Sequence, residues 1–265
     1  MNILEKIVEA KKIEVEHKRE YCPIAELEKS MLFNRQTISF KNSISNPEKS
    51  GIIAEFKRQS PSRGIINATA VLADVVEGYQ NAGASAVSVL TDKEFFGGEN
   101  KDLVEARSLL TIPLLRKDFI INEYQIVEAK SNGADVILLI AAILTPTQIN
   151  DFSNFAHFLG MEVLLEVHNQ EELLNNLHDS IDVIGVNNRN LKDFSENIEK
   201  SIQLSELIPS KYVKISESSI SKIETVKKLL DYGYQGFLIG EYFMKYNHPG
   251  EGCLKLASQI KELKH

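Results

Sequence analysis

The sequence predicts an α/β fold: a (β/α)8 barrel of the TIM type, one domain over residues 1–265, with residues 1–45 as an N-terminal helical extension. Three observations carry this. From Gly51 onward, short apolar runs alternate with helical segments of about a dozen residues, and the unit recurs eight times. Some runs, such as VILLI (Val136–Ile140), are apolar throughout, as parallel strands buried on both faces must be. Polar residues stand at the exits of most runs, and no Gly-x-Gly-x-x-Gly follows the first. A doubly wound open sheet, the rival alternation, would gather its polar exits at one switch point.

Taken in order, residues 2–20 place Ile3, Leu4, Ile7, Val8, Ile13 and Val15 among Glu and Lys, an amphipathic helix whose apolar face must be buried on the body of the domain. A second short helix is expected over Pro23–Ser30. Strands are expected at Gly51–Lys57, Ser85–Leu90, Pro113–Lys117, Asp135–Ile140, Glu162–Glu166, Asp182–Val186, Val213–Ser216 and Gly236–Ile239. The intervening helices are expected at Ala70–Ala82, Lys101–Leu110, Glu123–Asn132, Pro146–Leu159, Gln170–Leu177, Glu196–Leu207, Ile220–Tyr232 and Glu251–Leu263. Gly83, Gly133, Gly160 and Gly233 each end a helical run, and Thr145-Pro146 reads as a cap followed by a first-turn proline.

Composition narrows the function. A net charge of −7 argues against nucleic-acid binding, which needs a basic surface, while leaving room for a local basic pocket. Val136–Leu144 is the most apolar stretch and is too short to span a membrane. Met1–Ala10 lacks the layout of a secretory signal. Cys22 and Cys253 lie far apart without metal-ligand spacing, so free thiols in a reducing compartment, and a cytoplasmic enzyme, are expected.

A barrel brings all strand exits to one face. In order they are Glu55 and Lys57, Asp92, Lys117 and Asp118, Glu166, Asn187 and Arg189, Glu217 and Ser218, then Gly240 and Glu241. Any one of these has an ordinary reading, as a strand-end salt bridge or a turn. Together on one rim, charges so costly to bury point to a site. SESSI (Ser216–Ile220) and IGEYF (Ile239–Phe243) follow the last two strands, where barrels often bind phosphate through backbone N–H groups.

The stretches IIAEFKRQSPSRG, VLTDKEFFGG, LLRKDFI, NGADVILLIAAIL, LLEVHNQEEL, IGVNNRNLKDF, ISESSI and FLIGEYFM, in this order, resemble the indole-3-glycerol-phosphate synthase family throughout the chain. The resemblance implies ring closure of 1-(2-carboxyphenylamino)-1-deoxyribulose 5-phosphate, with loss of carbon dioxide and water. It implies Lys117 as the general acid at the carbonyl and Lys57 as a substrate-holding lysine that assists dehydration. Glu166 would stabilise the developing positive charge and handle a proton; Glu55 would orient Lys57 or act as the dehydration base. Asn187 would clamp the reacting centre and Arg189 the anthranilate carboxylate. Ser60, Ser218, Ser219, Gly240 and Glu241 would hold the phosphate.

Regained aromaticity drives the decarboxylation, so no cofactor and no metal is implied. The expected state is a monomer or weak homo-oligomer, with a pathway enzyme as a possible partner. Ser219 stands where the family usually has Gly, and Gln59 where it often has Ala. Ser219 is expected to keep negative φ. Two rivals are a different phosphate-binding barrel, such as phosphoribosylanthranilate isomerase, and a non-catalytic binding protein. The first would not need the extension or the two strand-end lysines beside Glu166; the second would not keep the acids.

Overall fold

The structure, a computed structural model, describes residues 2–190 and 194–264; Leu191–Asp193 of the NNRNLKDF stretch lie outside the described residues. The extension forms α1 (Ile3–Tyr21), α2 (Ile24–Leu27) and α3 (Phe40–Ser45). Next come β1 (Ile52–Phe56), the two-residue strands β2 (Gln59–Ser60) and β3 (Gly64–Ile65), α4 (Leu72–Asn81), β4 (Ala86–Leu90) and α5 (Asn100–Leu109). The middle of the chain supplies β5 (Leu114–Lys117), α6 (Glu123–Ser131), β6 (Val136–Ile140), α7 (Pro146–Phe158), β7 (Glu162–Val167) and α8 (Gln170–Leu174). It ends with β8 (Val183–Asn187), α9 (Glu199–Ser205), β9 (Val213–Glu217), α10 (Ile223–Asp231), β10 (Gly236–Ile239), α11 (Glu241–Met244) and α12 (Pro249–Lys264).

Strands β1 and β4 to β10 close into a barrel with every neighbouring pair parallel, β1 pairing with both β4 and β10. The predicted (β/α)8 architecture is therefore the observed one. Parallel neighbours bring residues of equal height side by side: Ile140 with Glu166, Glu166 with Gly185, Asn187 with Glu217, and Leu90 with Lys117. The four helix-ending glycines all adopt φ between 76° and 86°, the left-handed turn that a side chain resists. Thr145 accepts from the Gln148 amide and Gln148 reciprocates, a full capping box.

Two apolar shells follow from period-two alternation along the strands. Outward residues such as Val87, Val89, Ile137 and Leu165 meet the helices. Inward residues such as Ile53, Leu115, Leu164 and Ile215 fill the barrel, joined by Ile7 of α1 and by Phe40 and Ile44 of α3. Phe40 and Ile44 are essentially inaccessible, each stabilising the fold by about 1.5–3 kcal/mol. Ile44 lies against Gly236 at the start of β10, so α3 stoppers the N-terminal end of the barrel while α1 crosses the opposite end.

Some boundaries differ from expectation. The segment after Lys57, expected as loop, pairs with itself through β2 and β3. Helix α9 begins at Glu199 rather than Glu196, because Glu196 bridges back to Arg189. Helix α10 begins at Ile223 rather than Ile220, after a turn at Ser218–Ser219. Both cysteines are unbridged.

The extension is held by charge as well as by apolar packing. Lys11 of α1 is 1% exposed, and its Nζ lies 2.7 Å from Glu14, 2.9 Å from Asp92 and 3.0 Å from Asp118. Burial opposes the ammonium, but the three carboxylates more than reverse this and hold its pKa above the ordinary lysine value. Asp118 is also bound by Arg116, which is fully buried and reaches Glu128 of α6 at 2.5 Å. Lys11→Met should leave Asp92 and Asp118 short of a buried partner and destabilise the protein by about 3–5 kcal/mol. A denaturant midpoint equal to that of the parent would show that the ammonium is dispensable to the docking of α1.

Candidate active site

The sheet sorts the site side chains by its two-residue period. Glu55 and Lys57 leave β1 on the same side, Lys117 ends β5, Glu166 lies near the end of β7, Asn187 ends β8 and Glu217 ends β9. All the predicted site residues (Glu55, Lys57, Ser60, Lys117, Glu166, Asn187, Arg189, Ser218, Ser219, Gly240 and Glu241) line one cavity of about 740 Å³ at the C-terminal mouth. Ile3, Leu4 and Ile7 of α1 close one side of it. Phe96 and Phe119, with ring centroids 5.8 Å apart, form an apolar wall beside Lys117. Among the described residues, no group of three or more His, Cys, Asp or Glu could hold a metal ion.

At the floor, Lys117 Nζ sits 2.5 Å from Glu217 Oε2 and 3.1 Å from Glu166 Oε2. Lys57 Nζ donates to Glu55 Oε1 at 2.6 Å. Asn187 Nδ2 donates to Glu166 Oε1 at 3.1 Å. Burial alone would lower the Lys117 pKa; Glu217, Glu166 and Glu55 together raise it above the ordinary lysine value. Glu166 shows the converse. Burial opposes its charge, yet Lys117, His168 and Asn187 hold its pKa below the usual carboxylate range.

Glu217 is different. Burial, with Glu166 and Glu55 nearby, outweighs Lys117 and pushes its pKa up to about 7. Its Oε1 is buried without a hydrogen-bond partner among the described residues, as suits a carboxyl that carries a proton part of the time. The side chain lies over Gly185, where a Cβ would come 2.3 Å from Oε1.

The rim is a second set of ion pairs. Arg189 reaches Glu241 at 3.2 Å, pairs closely with Glu196, and donates to Ser62 Oγ at 2.9 Å. Arg63 lies 3.1 Å from Glu241, and Lys245 2.7 Å from it. Ser60 Oγ lies 3.3 Å from Ser62 Oγ. Ser219 Oγ donates to Glu196 at 2.8 Å.

Ser218 and Ser219 adopt φ of 67° and 61°, which corrects the expectation that Ser219 keeps negative φ. Buried Asn188 explains how the turn is held, since its Nδ2 donates to Ser216 Oγ and to the carbonyls of Glu217 and Ser218. Three residues beyond the predicted site therefore shape it. Glu217 was visible as a strand exit but had no assigned role. Asn188 read as half of an ordinary turn. His168, two residues after Glu166 and so on the same side of the strand, carried the one usable signal, that spacing.

The comparisons agree with this geometry. The family model for indole-3-glycerol phosphate synthase matches residues 4–253. A protein of that name from Bacteroides thetaiotaomicron is 46% identical over 98% of this chain and 99% of its own length. Another, from Caldanaerobacter subterraneus, is 44% identical over 96% of each chain. Among solved structures, thiamine phosphate pyrophosphorylase from Pyrococcus furiosus superposes with a TM-score of 0.62 at 15% identity, covering 85% of this chain and 99% of its own, a likeness of fold alone. With a lysine clasped by carboxylates at the mouth of the barrel and the family model covering nearly all of it, the chain belongs to the indole-3-glycerol phosphate synthase family, carboxy-lyases of tryptophan biosynthesis.

Proposed function

We propose that the residues at the mouth divide the ring closure of 1-(2-carboxyphenylamino)-1-deoxyribulose 5-phosphate among themselves as follows. The observation that carries the assignment is Lys117 Nζ held between Glu166 and Glu217. The ring carbon bearing the carboxylate attacks the ribulose carbonyl carbon while Lys117 donates a proton to the carbonyl oxygen. Positive charge builds on the anilino nitrogen, opposite the Glu166 carboxylate. Carbon dioxide leaves and its bonding electron pair restores the aromatic ring. Lys57 protonates the departing hydroxyl, and Glu55, 2.6 Å from its Nζ, takes the proton from the neighbouring methylene and returns it to Lys57. Asn187 keeps Glu166 in place from β8.

The substrate brings an aromatic ring and two anionic groups. Phe96 and Phe119 supply an apolar surface for the ring. Arg189 is the cation for the anthranilate carboxylate, exchanging Glu196 and Glu241 for the ligand. The phosphate falls to Ser60, Ser218, the Ser219 turn and the start of α11, where Gly240 leaves the first N–H groups without a side-chain cap. No described helix is long and apolar enough to cross a membrane, and the reading takes the chain as a cytoplasmic monomer or weak homo-oligomer, with a pathway enzyme as a possible partner.

Supplying the substrate and following indole fluorescence tests the reaction directly. Lys117→Ala should fold, bind product and lose at least about two orders of magnitude in turnover; near-native turnover would transfer the acid role to Lys57. Ser219→Gly should stabilise the protein by about 1 kcal/mol, because a side chain at positive φ is strained. An unchanged or lower melting temperature would mean that the hydroxyl's bond to Glu196 offsets the strain.

Glu217 makes a pH signature. Its folded pKa of about 7 lies above the ordinary 4.5. Its contribution to stability is therefore full below pH 4.5 and is lost as pH rises through 7. Glu217→Gln removes that loss, so the variant should gain stability relative to the parent as pH rises across this window. A difference in denaturation midpoint that stays flat with pH would show that Glu217 does not titrate there.

A further inference from the structure

His168 stands behind the site and has no part in the chemistry derived above. It projects from β7's end on the same side as Glu166 but does not line the cavity. Its ring is 9% exposed, with Nε2 3.3 Å from Glu166 Oε1 and Nδ1 3.2 Å from Glu172 Oε2. Nε2 makes no formed hydrogen bond among the described residues, so it faces Glu166 at ion-pair distance with its valence uncommitted. Glu172, 19% exposed, stands between the ring and solvent. Lys117, Glu166, His168 and Glu172 thus form an unbroken series of titratable groups from the cavity floor to the surface.

The reaction needs such a series. The carbonyl oxygen must collect two protons to leave as water, and the methylene returns only one. The carboxylate departs as carbon dioxide, its electron pair going to the ring without a proton. Each turnover therefore draws one net proton from solvent into a site covered by substrate and α1. We propose that His168 and Glu172 are the route by which that proton returns to Lys117 through Glu166, a proposal that rests on the reaction assigned above. After Lys117 gives up its proton, the imidazolium Nε2–H passes one to Glu166. Glu166 hands it to the Lys117 amine; neutral His168 keeps the Nδ1–H that faces Glu172, and a solvent proton arriving by way of Glu172 recharges it at the vacated Nε2 once the ring turns about Cβ–Cγ. The titratable groups within ion-pair distance of the ring among the described residues are Glu166 and Glu172, and both favour its charged form, pushing its pKa up to about 9 against burial. The overall transfer is downhill, since the Lys117 pKa lies above the ordinary lysine value.

A relay differs from a brace in which turnover it limits. Resting enzyme already holds the protons for one reaction, so a relay variant should complete its first turnover normally and stall afterwards. His168→Gln keeps the size and polarity of the side chain but cannot shuttle a proton. With enzyme in excess its first turnover should match the parent within about twofold, while its steady-state kcat falls at least about tenfold and KM falls in step, leaving kcat/KM unchanged. Slowing of both phases would overturn the relay and make His168 a brace for Glu166; slowing of neither would overturn it outright. Should His168→Gln not fold, Glu172→Gln in the same two assays carries the same three outcomes. A parent chain that fails to convert the substrate overturns the assigned reaction itself, and this route with it.

Discussion

An ammonium buried at the mouth of the barrel is the constraint on which the rest of the site depends. Taking Lys117 out of water costs several kcal/mol unless partners replace the solvent, and one carboxylate would merely move the cost to a second buried ion. The barrel answers with two, Glu166 from β7 and Glu217 from β9, at 3.1 and 2.5 Å. Two carboxylates around one lysine overshoot, and the surplus is absorbed by unequal ionisation. Glu166, helped by Asn187 and His168, stays charged; Glu217, with one oxygen unpartnered, is pushed toward neutrality. Gly185 is part of the same arrangement, because any larger residue would displace the Glu217 carboxyl.

The exit of β5 directs consecutive charges in opposite directions. Lys117 points into the cavity. Its neighbours Arg116 and Asp118, one residue to either side, point to the helices, where Asp118 meets Lys11 of α1 and Arg116 meets Glu128 of α6. Four consecutive residues of one strand end, Arg116 to Phe119, therefore carry the lysine of the cavity floor, the anchor of the extension and one wall of the apolar pocket. The ion pair that anchors the extension is thus one residue from the lysine of the cavity floor. Lys11 of α1 holds Asp118, and Asp118 is joined by a peptide bond to Lys117.

Most of this was legible because a barrel converts sequence period into position. Alternation and length gave the eight strands, and topology alone made Lys57, Lys117, Glu166 and Asn187 neighbours. What escaped depends on angles that no pattern encodes. Ser218 and Ser219 read as a helix start, yet they turn through positive φ because Asn188, thirty and thirty-one residues upstream, donates to the carbonyls around them. Helix α9 starts late because Glu196 is drawn to Arg189 and Ser219 across the mouth. Glu217 was read as a strand exit like any other; its shifted ionisation arises only once Glu166 and Glu55 are brought near in space.

The rim explains how a mouth so rich in acids can take an anionic ligand. Glu196 and Glu241 are already held by Arg63, Arg189 and Lys245. These carboxylates act as internal counterions. They hold the cations at the mouth without leaving them bare, and they sit on short segments, the approach to α9 and the first turn of α11. Each rim cation is thus already balanced by a carboxylate of the chain itself. The floor is built differently, since its carboxylates sit on strand ends inside the barrel. The rim thus pairs its charges on connecting segments, and the floor pairs its charges on strand ends.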